Sequence, residues 1–119
     1  MLAPGRYQVL VYHVRPGVSP YLKWLQDLDP KTQNRIQIRI LRMNEGQFGD
    51  CKKLDQHLYE LRLFFGPGYR VYFGKDGDRV AILLGGSDKK RQAAAIEKAQ
   101  LAWVAYKQMK LKNKKGLGN

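Results

Sequence analysis

Residues 58–73 read LYELRLFFGPGYRVYF, two runs of strand-forming residues separated by a Gly-Pro-Gly. No other stretch restricts the fold as much. Gly-Pro-Gly cannot continue a strand, and aromatic and aliphatic runs on both sides of it predict a hairpin. Successive side chains of a strand point to opposite faces. Leu61, Leu63 and Phe65 therefore share one face, and Glu60, Arg62 and Phe64 the other. In the returning run, Tyr69, Val71 and Phe73 alternate with Arg70 and Tyr72. One face of the hairpin is a core face. The other gathers Glu60, Arg62, Arg70 and Tyr72 into a polar face that the pattern leaves open to solvent.

The remaining elements follow from turn and cap signals. Residues 7–14 (YQVLVYHV) predict a first strand, broken by Pro16-Gly17. Ser19-Pro20 starts a helix, because serine caps free N–H groups and proline at the first position has none to lose. Tyr21, Trp24, Leu25 and Leu28 fall on one side of it. Asp29-Pro30 repeats the signal, so a second helix over 31–45 completes a helical hairpin that closes at Gly46. Ile36, Ile40 and Met43 form the apolar stripe of this helix. Arg35, Arg39 and Arg42 line up on another side and are read as a solvated basic face. Residues 47–56 are expected to be a loop. A third strand of the sheet, over 79–84, follows the Asp-Gly turn signal and is expected to end at Gly85-Gly86-Ser87. A final helix opens at Asp88, with Ile96, Ala99, Trp103 and Tyr106 spaced to pack on the body. The element order β-α-α-β-β-β-α predicts an α+β domain, its N-terminal strand and helical hairpin packed on a small, twisted, mainly antiparallel sheet. Residues 1–106 are expected to form one domain and 107–119 a basic, frayed tail.

Charge narrows the partner. The chain has 119 residues, with 22 Lys and Arg against 10 Asp and Glu, a net charge of +12. Such an imbalance attracts polyanions by long-range field alone, with nucleic acid first and an acidic protein close behind. Cys51 is the only cysteine, which excludes an internal disulfide and a cysteine-based zinc site. No apolar run has the length of a membrane span and the N-terminus lacks a signal-peptide pattern, so the expected location is cytoplasmic, without membrane association.

The segments WLQDL, RIQIRILRMNEGQFGDCKKL, YELRLFFGPGYRVYF and ILLGGSDKKRQAAAIEKA together resemble the RelE/ParE toxin superfamily. The resemblance is closest to the addiction-module killer proteins related to HigB toxins. It runs from about Tyr21 to about Trp103, and the combination of ELR, GPGYRVYF and LLGG followed by DKK is its specific part. It implies the RelE-like fold and a toxin of a type II toxin–antitoxin system, with a cognate antitoxin protein as partner. RelE-like members cut messenger RNA on the ribosome without a metal ion or other cofactor; ParE-like members instead poison DNA gyrase. A third alternative is a catalytically inactive homologue that still binds RNA and antitoxin.

Metal-free RNA cleavage uses the neighbouring 2′-OH as nucleophile. It requires removal of that proton, stabilisation of charge on the phosphorane, and protonation of the leaving 5′-oxygen. Arginine suits the second task, since its fork of donors matches phosphate oxygens. The resemblance places that role on Arg62 and Arg70. Where RelE carries lysines and a tyrosine for proton transfer, this chain has Leu58, Glu60 and Ile96. Tyr72, Glu60, and Lys89 or Lys90 remain as candidates, with His57 and His13 weaker ones. Lys89, Lys90 and Arg91, at the expected start of the last helix, are candidate phosphate ligands beside free N–H groups. Phe64 and Tyr72 on the polar face are candidates for stacking a base.

Overall fold

The computed structural model of the chain describes residue 2 and residues 5–117, with side chains described as far as residue 113. The order is β1 (Gln8–Val11), α1 (Pro20–Gln26), α2 (Pro30–Asn44), β2 (Cys51–Lys53), β3 (Leu58–Arg62), β4 (Arg70–Lys75), β5 (Val80–Ser87) and α3 (Gln92–Leu117). The class is mixed α+β, with five strands and three helices among the described residues. The sheet order is β1-β5-β4-β3-β2; β1 pairs parallel with β5 and every other pair is antiparallel.

Both helix starts form as their sequence dictates. The Ser19 hydroxyl accepts from Leu22 N at 3.2 Å, and an Asp29 carboxylate oxygen accepts from Thr32 N at 3.1 Å. Proline follows each cap, at Pro20 and Pro30. Tyr21 and Leu25 of α1 and Ile36 and Met43 of α2 pack into one core with Tyr59, Leu61, Leu63, Val71 and Phe73, the apolar face predicted for the hairpin.

The element order departs from expectation at 47–56, where β2 stands in the segment read as loop. Its Cys51 pairs with Leu61 and its Lys53 with Tyr59. Three residues, Cys-Lys-Lys, are too few to show a period, and their extended form comes from the edge of β3 that they satisfy. The burial of the Cys51 side chain pushes its thiol up to about 12, an inert position for a sulfur. Strand β5 also continues through Gly85, Gly86 and Ser87, which pair with Tyr72, Val71 and Arg70. The ladder outweighs the weak strand preference of two glycines, and a register shift lies between Tyr72 and Phe73.

The larger correction concerns the second face of the sheet. It is not open. Helix α3 lies across it, and Leu58, Tyr72, Ile82, Leu84, Ala99 and Trp103 form a second buried core, with Ile96 and Tyr106 packed against it. The sheet is therefore the middle layer of three, with α1 and α2 on one side and α3 on the other. Gly74 permits the close approach. A Cβ built there would stand 2.2 Å from the Trp103 ring, so only glycine lets the indole lie on β4. The predicted spacing of Ile96, Ala99, Trp103 and Tyr106 is the one observed. The face they cover had been assigned to solvent because hairpin periodicity does not reveal what packs above it.

Helix α3 extends past residue 106 into the lysine-rich segment, and residues 118 and 119 of the expected tail lie outside the described residues. One anchor is Asp76, in the turn between β4 and β5. Its carboxylate accepts from the Tyr106 hydroxyl at 2.5 Å and from Lys110 Nζ at 2.6 Å. Burial pushes the Asp76 carboxyl up, but these two donors outweigh it and hold it below the ordinary carboxylate range.

Two stability predictions follow from this packing. Gly74→Ala should lower unfolding free energy by about 1–3 kcal/mol through overpacking against Trp103, read as a lower urea midpoint at unchanged slope. Because the folded Asp76 carboxyl has a lowered pKa, its stabilisation is present above the ordinary carboxylate range and is lost as pH falls through the folded value. Thermal melts should therefore separate wild type from Asp76→Asn near neutrality and converge in acid, below about pH 4. A gap that persists unchanged in acid would exclude the carboxylate as its source.

Candidate functional site

The register of β3 and β4 sets Arg62 directly opposite Arg70 and Glu60 directly opposite Tyr72. Period two then puts all four side chains on the face beneath α3. The Gly-Pro-Gly turn at the end of this pair has glycines with φ of 58° at Gly66 and 77° at Gly68. That left-handed backbone suits glycine, and at Gly68 the lack of a side chain does more. A Cβ there would stand 3.3 Å from both Arg70 Nη1 and the Lys89 Cβ, so the glycine lets a guanidinium and a lysine converge.

Glu60 is the centre of the group. Although charged, it is fully buried, with 0% exposure. One carboxylate oxygen takes Arg62 Nε at 3.1 Å; the other takes Gln92 Nε2 at 2.7 Å and lies 3.5 Å from Arg70 Nε. A buried carboxylate costs several kcal/mol unless paired and hydrogen-bonded, and here two guanidiniums and an amide meet that requirement. Arg70 Nη1 also donates to the Gly68 carbonyl at 2.7 Å, while its Nε is buried without a hydrogen bond among the described residues. One carboxylate against two guanidiniums leaves the group with a surplus positive charge. Its outlet to solvent is through Arg62, whose side chain is 32% exposed against 12% for Arg70.

Each expected site residue can now be placed. Arg62 and Arg70 stand side by side as the alternation required. Glu60 and Tyr72, expected at the surface, are corrected to the interior: both are buried, Glu60 bonded to Gln92 of α3 and Tyr72 packed with Ala99 and Trp103. The Tyr72 hydroxyl hydrogen-bonds to Ser87 Oγ at 3.1 Å. Burial pushes its phenol up to about 12, so near neutrality it is a hydrogen-bonding group rather than a proton shuttle, and it cannot stack a base. Phe64 is 82% exposed and remains able to.

Lys89, Lys90 and Arg91 do not open the last helix as expected. They precede α3, in a turn where Asp88 already accepts from Arg91 N at 2.9 Å and from Arg91 Nη1 at 2.7 Å. The free N–H groups expected for an anion are thus partly satisfied by a carboxylate. Lys89 N donates to the Pro67 carbonyl at 3.2 Å, which ties this turn to the Gly-Pro-Gly and brings Lys89 beside Arg70. Lys90 and Arg91 instead line a separate groove between α1 and α3. His57 is exposed, with its ring 6.0 Å from that of Trp103. Among the described residues, no cluster of His, Cys, Asp and Glu could hold a metal ion.

Sequence reasoning missed Gln92 and Ser87 as members of the group. Neither carries a local signal, since one comes from α3 and the other from a strand expected to have ended.

Comparison with known proteins places these residues in context. The family model described as phage derived protein Gp49-like (DUF891) matches residues 23–107. An uncharacterized protein of Haemophilus influenzae is 39% identical over 79 residues, which cover 66% of this chain and 80% of that protein.

The role of Glu60 can be separated from that of its charge. Glu60→Ala leaves two guanidiniums facing each other with no anion and should cost about 3–5 kcal/mol, the usual loss for one partner of a buried pair. Glu60→Gln keeps shape and one acceptor and should cost visibly less in the same urea titration. Equal losses would mean that the negative charge, rather than shape and hydrogen bonding, holds the site.

Proposed function

The chain belongs to the phage-derived Gp49-like family, a RelE/toxin-like family, and on that premise we propose that it is the toxin of a type II toxin–antitoxin module, of the HigB-like branch with a RelE-like fold, which cleaves messenger RNA on the ribosome. Family membership suggests an antitoxin protein as the partner. The RNA substrate is a reading of the site. The observation that carries it is the pair of guanidiniums held opposite one another by a single buried carboxylate.

In this reading the scissile phosphate docks at the exposed end of the pair, against Arg62, Arg70 and the exposed Lys89. The 2′-oxygen attacks phosphorus as its proton leaves to water, the P–O5′ bond breaks, and the 5′-oxygen takes a proton from the surroundings. The products are a 2′,3′-cyclic phosphate and a 5′-hydroxyl. Arg62 and Arg70 supply charge-assisted hydrogen bonds to the non-bridging oxygens as negative charge grows on them. Lys89 stands on the same side, where an ammonium can stabilise the leaving oxygen. Glu60 acts through the arginines, as a positioning residue, and Tyr72 with Ser87 braces the strand beneath. No cofactor is part of this chemistry. A domain of residues 1–106 with a basic tail, acting in the cytoplasm, completes the proposal; no described helix is long and apolar enough to cross a membrane.

One observation favours a second reading. Both candidate proton-transfer groups on the hairpin, Glu60 and Tyr72, are sealed from solvent. A homologue that binds RNA and antitoxin without cutting fits that arrangement, and a ParE-like action on gyrase would leave transcripts intact as well.

Induced expression followed by primer extension on an abundant message separates these readings. The proposal expects new 5′ ends at codon-spaced positions and growth arrest. Arg70→Lys, which keeps the charge and loses the fork, should reduce cutting by about a hundredfold or more, the scale of removing one transition-state donor. Uncut messages in arrested cells would overturn the nuclease assignment, as would full activity in a folded Arg70→Lys variant.

A further inference from the structure

Beside the end of β3 runs a cleft of about 330 Å³, and four of its nine lining residues are arginines. Arg35, Arg39 and Arg42 reach it from α2, and Arg62, Phe64 and Asp50 from the hairpin side. Four cations face one carboxylate. Arg35, Arg39 and Arg42 enter none of the ion pairs formed among the described residues. The stripe read from sequence as a solvated basic face is thus one wall of a concavity.

The arginines are held rather than loose. Arg39 Nη2 donates to the Phe48 carbonyl at 2.9 Å. The guanidinium carbon of Arg35 lies 3.8 Å from the centre of the Phe65 ring, a cation–π contact. Partial burial, and then the nearby charge of Arg42, push Arg39 below its ordinary range. Like charges confined together favour a bound anion. From Arg35 to Arg42 the helix rises about 10 Å, the scale of a short run of backbone rather than one small ion. At the mouth stands Phe64, 82% exposed. Single exposed apolar residues are common. An exposed phenyl ring bordering an arginine-lined cleft combines the two components of single-strand binding, a cationic track and a stacking platform.

We propose that the cleft between α2 and the end of β3 binds single-stranded RNA, with Arg35, Arg39 and Arg42 on successive phosphates and Phe64 stacked on an unpaired base. The choice of RNA over DNA rests on the nuclease reading; the single-stranded character rests on Phe64, whose ring has no free base to meet on a duplex. Arg62 belongs to both the cleft and the guanidinium pair. A strand bound in the cleft therefore leads directly to the proposed scissile position. An acidic protein segment could satisfy the arginines but gives Phe64 no partner of its own, which makes it the less favoured occupant.

The test is binding by the full chain, measured by fluorescence anisotropy with a labelled single-stranded RNA decamer, the same decamer with abasic sugars, and an RNA duplex. Arg35→Gln with Arg42→Gln should make the dependence of log affinity on log salt shallower by about 1.4, two lost single-strand phosphate contacts. Phe64→Ala should weaken the intact decamer about tenfold and leave the abasic one unchanged. These three side chains are exposed, so circular dichroism should show native folding for all variants. Native affinity and salt slope in the double variant would overturn the proposal. So would a Phe64→Ala protein that binds the decamer normally while polyglutamate displaces it, the behaviour of an acidic-protein surface. Cleavage separates the two readings: an Arg70→Lys protein that binds but does not cut supports both. Weakened binding in the cleft variants, together with undiminished cutting by Arg70→Lys, keeps the cleft and removes the nuclease assignment. Normal binding in the cleft variants removes the cleft whatever the cutting shows.

Discussion

The carboxylate of Glu60 is the interaction on which the site depends. It is sealed beneath α3, yet it faces two guanidiniums and an amide from three different elements. In a low-dielectric interior an unpaired charge is far costlier than a lost hydrogen bond, so the energetic penalty for any wrong arrangement of β3, β4 and α3 is concentrated here. Arg62 and Arg70 would repel each other across the ladder without it, since like charges directly opposite destabilise a sheet. With it, their proximity is stable.

The same burial sets limits on chemistry. A side chain that braces a site by being desolvated cannot also exchange protons with a substrate that never reaches it. Tyr72, locked to Ser87 and raised to about 12 by burial, is in the same position. What remains for contact with a polyanion is the surplus positive charge that emerges at one end of the sheet, through Arg62 and the nearby Lys89, and continues into the arginine-lined cleft along α2. In the proposed reading, phosphate recognition is distributed over α2 and the end of β3, with Arg62 common to the cleft and the guanidinium pair.

Much of this was legible in the chain. Ser19-Pro20 and Asp29-Pro30 fixed both helix starts because caps and prolines act through local hydrogen bonds and dihedral limits. The alternation in β3 and β4 placed Arg62 beside Arg70 because side-chain period is a property of the strand itself. Three features were not legible. Strand β2 and the end of β5 exist because a neighbouring edge satisfies their backbone, which three residues of Cys-Lys-Lys or a Gly-Gly pair cannot announce. The burial of Glu60 and Tyr72 was hidden for a different reason: a polar residue facing away from one core reads as exposed until a second layer is known to cover it. The arginines of α2 read as a solvated face because nothing in a helical stripe shows that another element stands opposite.

Sequence alone determined which residues share a strand face, where the helices begin and that the molecule as a whole attracts polyanions, since local sterics and net charge need no partner. Tertiary structure alone decided that the second face of the sheet is covered rather than open to water. That choice turned Glu60 and Tyr72 from surface groups into internal braces. It was made by a helix that begins only after the whole of β5, packing through Trp103 onto a glycine too small to resist it.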